Sequence, residues 1–151
     1  MRFLHTMLRV KNLDDALKFY CDVLGFKEYQ RYPNEKGRYT NVYLIAPEDT
    51  EVVESSLRAG RPGPLLELTY NWDEENYGEA RFFGHIAVEV EDIYAKCAEV
   101  LAKGVVINRP PRDGKMAFIR SPDRHSIEFL QKGEPLKPSE PWASMPNVGT
   151  W

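Results

Sequence analysis

One pattern of apolar, turn and capping residues occurs twice along the chain, and this duplication limits the possible folds more than any bulk property. The first copy opens on an alternating strand over residues 3–10 that contains His5. Asn12-Leu13-Asp14-Asp15 then reads as a helix start, an N-cap residue followed by early acids. Ala16, Leu17, Phe19, Tyr20, Val23 and Leu24 follow at helical spacing, and Gly25 stops the helix. Strand-like runs come at 27–32, 39–45 and 65–70. The second copy opens on a strand at 84–90 containing His85. Asp92 starts a helix carrying Ile93, Cys97, Val100 and Leu101, Gly104 closes it, and runs follow at 105–108, 116–120 and 126–131. The order is strand, helix, three strands, twice over. It predicts an α+β chain of two βαβββ modules, about 1–72 and 82–131, making one domain over 1–131. Residues 132–151, with four prolines and two tryptophans, are expected to form an extended tail anchored by Trp142 and Trp151.

The copies match in residue type as well as in pattern. His5 and His85 both lie in opening strands, and Glu67 and Glu128 both lie in closing strands. The histidines are 80 residues apart and the glutamates 61. An extra loop in the first copy, 46–64, rich in Pro, Gly and acids, accounts for the difference. Strand residues alternate faces. Each histidine and glutamate therefore falls on the less apolar face of its strand, while Leu66, Leu68, Ile127 and Phe129 point the other way. A carboxylate flanked by apolar residues is costly to bury unless paired, hydrogen-bonded or bound to metal. Two histidines and two carboxylates offer an N2O2 set for a divalent transition metal. A lone strand histidine or glutamate is ordinarily a solvated or hydrogen-bonded residue; recurrence of both at matched positions favours ligands. His125, beside the turn Ser121-Pro122-Asp123-Arg124, reads as exposed. Cys21 and Cys97 are not in a Cys-x-x-Cys pair and read as buried free thiols.

Bulk properties narrow the class. With 151 residues, 42% hydrophobic and 28% charged, the composition is that of a soluble globular protein. A formal net charge of −3 gives no bulk attraction to nucleic acid or to an anionic membrane. No apolar run approaches the roughly 20 residues that span a bilayer. The opening residues lack a signal-peptide core, so a cytoplasmic protein is expected.

Several segments together resemble the glyoxalase I (lactoylglutathione lyase) family of the vicinal oxygen chelate superfamily. They are Leu4-His5-Thr6-Met7-Leu8-Arg9-Val10, Phe19-Tyr20 with Leu24-Gly25, and Leu66-Glu67-Leu68-Thr69-Tyr70-Asn71-Trp72. Phe83-Gly84-His85-Ile86-Ala87 and Phe118-Ile119-Arg120-Ser121-Pro122-Asp123, leading to Ile127-Glu128, complete the likeness over about 1–131. The resemblance implies paired βαβββ modules forming open barrels, completed in a homodimer. It places the metal ligands on His5, Glu67, His85 and Glu128. The implied ion is Ni2+ in preference to Co2+ or Zn2+, and glutathione is the implied co-substrate. The implied reaction is isomerisation of the methylglyoxal–glutathione hemithioacetal to S-D-lactoylglutathione, a methylglyoxal detoxification. Glu128 is the implied general base, and Glu67 contributes to the opposite proton transfer. Arg9, Asn71 and Arg81 are the implied contacts to the γ-glutamyl end. Lys115 is the candidate for the glycyl carboxylate, with Arg112 or Arg109 as alternatives, and Met116 and Phe118 complete the substrate contacts.

The chain departs from the family's pattern in two places. The loop before Ala117-Phe118 is shorter than in many relatives, and the turn reads Pro-Asp-Arg-His where Pro-Asp-Gly is common. Two other readings stand beside this one. One is another metal enzyme of the same superfamily, such as a dioxygenase, thiol transferase or epimerase. The other is a non-catalytic small-molecule-binding module. Four candidate ligands and the Thr-Tyr-Asn-Trp segment argue against the first, and retention of all four ligands argues against the second.

Overall fold

The computed structural model describes residues 5–58, 64–73, 76–78 and 83–151. These divide into two compact units, Met1–Glu79 and Ala80–Trp151. The first runs β1 (His5–Val10), α1 (Leu13–Leu17), β2 (Lys27–Asn34), β3 (Tyr39–Ile45), α2 (Thr50–Arg58) and β4 (Leu65–Asn71). The second runs β5 (His85–Val90), α3 (Ile93–Ala102), β6 (Ile107–Arg109), β7 (Met116–Arg120) and β8 (Ser126–Gln131). Each unit forms one four-stranded mixed sheet, in order β1-β4-β3-β2 and β5-β8-β7-β6. Opening and closing strands pair parallel and all other neighbours antiparallel. This is the α+β arrangement of two βαβββ modules.

The helices start and stop where local chemistry sets them. The Asn12 side chain accepts from the amide of Asp15 at 3.1 Å, and Asp92 accepts from Tyr94 and Ala95 at 2.9 Å. α1 widens after Leu17 into a π-helical turn, Lys18–Val23, with the Leu24 amide reaching back to the Phe19 carbonyl. That turn buries Phe19, Tyr20 and Val23 together. Gln131, almost fully buried, accepts from the Ile93 amide and donates to the Glu91 carbonyl, tying the head of α3 to the end of β8. Leu8, Val10, Val42, Leu44, Leu66 and Leu68 form the sheet side of the first core; Ile119, Ile127 and Phe129 do so in the second.

Four sequence expectations change. The segment 46–64 is not only loop: a 3-10 turn at Pro47–Asp49 leads into α2, whose Val53 is fully buried. Thr50 secures that start by donating its hydroxyl to the Pro47 carbonyl. β2 extends through Pro33 to Asn34, which an edge strand permits because one row of its backbone groups has no strand partner. β6 is shorter and later than the run 105–108, since the Val105 amide is used to close α3 on Val100. Cys97 is buried and its thiol is pushed up to about 12 by that burial; Cys21 is only half-buried, and both are free.

The tail, 132–151, packs within the second unit. Leu136 donates to the Gly114 carbonyl, Tyr94 Oη to the Lys137 carbonyl, and Arg112 to the Met145 carbonyl. Val148 and Asn108 bond reciprocally, and Trp142 is buried. Gly114 makes the crossing possible. It sits at φ 64°, and a Cβ there would collide with the Leu136 backbone. Gly114→Ala therefore combines a left-handed alanine, about 1–2 kcal/mol on its own, with a backbone clash. Chemical denaturation should show at least that loss, and wild-type stability would contradict the packing.

Candidate metal centre and its surroundings

Each unit brings a histidine and a glutamate together by the same device. His5 lies opposite Leu65 in the parallel β1–β4 pair, and Met7 lies opposite Glu67. His85 lies opposite Ser126 in β5–β8, and Ala87 lies opposite Glu128. The glutamate is thus two residues beyond its histidine's neighbour, and a two-residue step returns to the same face. The result is one geometry twice. His5 Nε2 is 3.0 Å from Glu67 Oε2, and His85 Nε2 is 3.0 Å from Glu128 Oε2. The glutamates are only 6% and 8% exposed, while both imidazoles are exposed. An aromatic residue on the middle strand flanks each pair. Tyr43, opposite Glu67, meets the His5 ring edge-on at 6.1 Å; Phe118, opposite Glu128, meets His85 edge-on at 5.5 Å.

Among the described residues, no third His, Cys, Asp or Glu joins either pair. Each module therefore presents one imidazole nitrogen and one carboxylate. Two imidazole nitrogens and two carboxylates, largely screened from water on the carboxylate side, are a donor set that divalent transition metals accept. The donors fit such an ion.

The surroundings of the two pairs differ. Asn41 Nδ2 donates to Glu67 Oε1 at 2.6 Å, and Thr69 Oγ1 donates to Asn41 Oδ1 at 3.1 Å. Burial first, and then the charge of Glu67, push the Tyr43 phenol above its ordinary value, with Asn41 pulling the other way. Asn41 and Tyr43 were not singled out in the sequence. Their alternation with Val42 and Leu44 was the available signal, since it puts them on the face of Glu67.

The expected substrate contacts fall as follows. Arg9 is exposed on β1, two residues beyond Met7 and opposite Thr69, and so shares the face of His5. Asn71, at the end of β4, donates to Tyr77 Oη at 3.3 Å. The next residue fixes this strand end: Trp72 Nε1 donates to Thr40 Oγ1 at 2.9 Å, beneath the Arg38 guanidinium. Arg81 lies outside the described residues. Met116 and Phe118 share one face of β7, opposite Leu130 and Glu128. Phe118 also neighbours the tail's Trp151, with ring centroids 6.2 Å apart. Lys115 donates its ammonium to the carbonyls of Gln131 and Gly133 at 2.9 and 2.7 Å. Arg109 bonds the Met116 carbonyl and Asp113, and Arg112 bonds the tail. Arg109 and the two cations of the short loop, Arg112 and Lys115, thus all bond within the second unit.

His125 is not exposed as its turn suggested. It is half-buried, with Nδ1 3.1 Å from Ser121 Oγ, and burial lowers its pKa. Ser121 also accepts from the His125 amide, and this brace holds Arg124 at φ 68°, where glycine would be easier.

The family model described as the Glyoxalase/Bleomycin resistance protein/Dioxygenase superfamily matches residues 2–129. The chain is 41% identical over 137 residues to a lactoylglutathione lyase of Neisseria meningitidis serogroup A, covering 87% of this chain and 91% of that one. It is 38% identical to the lactoylglutathione lyase of Haemophilus influenzae, covering 87% and 93%. Among solved structures, the trypanothione-dependent glyoxalase I of Leishmania major superposes with a TM-score of 0.73 at 34% identity, covering 87% and 86%.

The loop before β7 yields a pH prediction. Burial would raise the Asp113 carboxyl, but the Arg109 guanidinium and the Lys115 and Met116 amides outweigh it and lower the pKa to about 2 from 3.8. A depressed carboxyl adds stability above its unfolded value and loses it as pH falls toward the folded one. Stability should therefore decline between about pH 4 and pH 2, and Asp113→Asn should flatten that part of the curve. With the side chain 44% exposed, screening limits the effect to about 1 kcal/mol or less. Denaturation midpoints across that range check it, and identical curves for both proteins would reject it.

Proposed function

This chain belongs to the glyoxalase/bleomycin resistance protein/dioxygenase superfamily, and from that premise we propose that it is a lactoylglutathione lyase. One observation carries the reading: two His–Glu pairs of identical register and separation, in a chain 41% identical to a curated lactoylglutathione lyase over nearly its whole length. The substrate is the hemithioacetal of methylglyoxal and glutathione, and the product is S-D-lactoylglutathione.

His5, Glu67, His85 and Glu128 together hold one divalent transition metal, with Ni2+ favoured over Co2+ and Zn2+. Such an ion stabilises the negative charge that develops when a C–H beside a carbonyl is deprotonated. Each module supplies two of the four donors, and a homodimer that combines complementary modules completes the set. Glu128 takes the proton from the carbon bearing sulfur and returns it to the adjacent carbon. The hydroxyl proton on the first carbon passes to the carbonyl oxygen of the second, so the first carbon becomes the thioester carbonyl, the second carries the new hydroxyl, and atoms and electrons balance without another reactant. Glu67, held by Asn41, serves as the opposing carboxylate. Arg9 suits a glutathione carboxylate through its paired donors, and Asn71 and Arg81 belong to the same end. Met116 and Phe118 give the Glu128 side an apolar wall. Lys115, on its present partners, reaches the glycyl carboxylate only by leaving two backbone carbonyls. Among the described residues no helix is long and apolar enough to cross a membrane.

The decisive assay uses chelator-stripped protein, methylglyoxal and glutathione, with Ni2+, Co2+ or Zn2+ restored singly and thioester formation followed by ultraviolet absorbance. No thioester with any metal rejects the function. His5→Ala and His85→Ala should each lose bound metal by elemental analysis; undiminished content in both removes the ligand assignment. Sedimentation should give a dimer, and an active monomer would reject the two-chain site.

Glu128→Gln should fold and lose about 100- to 10,000-fold in kcat. Metal occupancy is measured alongside, so that loss of the ion is not mistaken for loss of the base. Arg9→Ala should chiefly raise KM, because its carboxylate partner is remote from the reacting carbons. Wild-type turnover by metal-loaded Glu128→Gln would move the base elsewhere.

A further inference from the structure

The two His–Glu pairs have the same geometry but different support. The difference lies at two registered positions. On the middle strand, two residues before the flanking aromatic, the first module has Asn41 opposite Thr69. At the corresponding place the second module has Met116 opposite Leu130. Asn41 donates to Glu67 Oε1 while Oε2 faces His5, so both oxygens of Glu67 are engaged. Neither Met116 nor Leu130 has a proton to donate. Glu128 therefore has the histidine without the amide.

The hydrogen-bond chain has a fixed direction. An ionised carboxylate only accepts, so Asn41 must turn its NH2 toward Glu67. Its carbonyl then needs a donor, and the buried Thr69 hydroxyl supplies one at 3.1 Å. A charge-assisted bond of 2.6 Å to a carboxylate that is 6% exposed is of the strong class.

We infer that Asn41, oriented by Thr69, is a positioning residue that holds Glu67 as a fixed metal ligand, a support that the corresponding residues Met116 and Leu130 do not give Glu128. The inference rests on the four-residue metal set proposed above. Hydrogen-bond partners one step out from a metal typically govern affinity or activity by about 10- to 100-fold. In this chain only one of the two half-sites has such a partner on its carboxylate among the described contacts.

The test uses the full chain with Asn41→Leu, Thr69→Val and the double substitution. Metal affinity is read by competition with a chromophoric chelator, and ligand geometry by the visible spectrum of the Co2+-loaded protein. Asn41→Leu should weaken metal binding by about 10- to 100-fold and change the Co2+ spectrum. It should lower kcat while leaving KM near that of the wild type. Thr69→Val, close to isosteric, should shift affinity and spectrum in the same sense by less. It also keeps the test alive if leucine at 41 disturbs folding. The double variant should be no worse than Asn41→Leu, because the hydroxyl acts through the amide. Wild-type affinity and spectrum in either folded single variant overturns the inference, as does strict additivity in the double. A wild-type protein that binds no divalent ion removes the parent reading and this one together, and so is distinguishable from failure of the clamp alone.

Discussion

The parallel pairing of opening and closing strands is the constraint on which the remaining architecture depends. It is what lets a residue near the start of a module meet one near its end. A histidine and a glutamate far apart in sequence become neighbours only because β1 lies on β4 and β5 lies on β8. Parallel neighbours cannot be joined by a tight turn, and each module fills the long connection with helix and two further strands. Burial of the carboxylate follows from the same register. Leu66 and Leu68 point into the core, which forces Glu67 to the opposite face, where little water reaches it. A buried carboxylate without partners is costly. Each is compensated by an imidazole at 3.0 Å, and at Glu67 by an amide as well.

Duplication supplies two half-sets and also allows them to diverge. The backbone register is the same in both modules, so a polar side chain can be placed beside one glutamate and withheld from the other without altering the sheet. Asn41 and Tyr43 make the first pair's setting polar, while Met116 and Phe118 make the second's apolar. The residues that make the two settings differ are Asn41 and Tyr43 on β3 and Met116 and Phe118 on β7, with Thr69 on β4 and Leu130 on β8 registered against Asn41 and Met116.

How much was legible in the sequence follows from the range of each interaction. The His–Glu pairs were readable because strand alternation has a period of two and the pattern recurs, so four positions checked one another. Helix starts at Asn12 and Asp92 were readable because capping acts over three residues. Asn41 was not, since Tyr-Thr-Asn-Val-Tyr reads as any half-exposed strand and its partner Glu67 lies 26 residues away. α2 was hidden by flanking proline, glycine and acids, although burial of Val53 secures it. The half-burial of His125 depends on the Ser121 hydroxyl, which a Ser-Pro-Asp turn does not advertise. The commitment of Lys115 to two backbone carbonyls arises from the fold of the following tail, and no local pattern encodes it.

The tail itself answers a difference between the two sheets. Each sheet has its middle hairpin's outer strand at an edge: β2 in the first, β6 in the second. β2 is eight residues long and carries Lys27, Glu28, Arg31 and Pro33, charges and a proline that discourage pairing with a foreign strand. β6 has only three residues and an irregular register against β7. So short a strand gives its neighbour little support, and β7 is the strand that carries Met116 and Phe118. The Val148–Asn108 bonds extend this edge, and the Gly114–Leu136 crossing pins the loop that leads into β7. The second module thus uses residues beyond the repeat for rigidity that the first obtains from a longer strand. In doing so it brings Trp151 against Phe118, so that the segment stabilising the sheet edge also shapes the apolar wall beside Glu128.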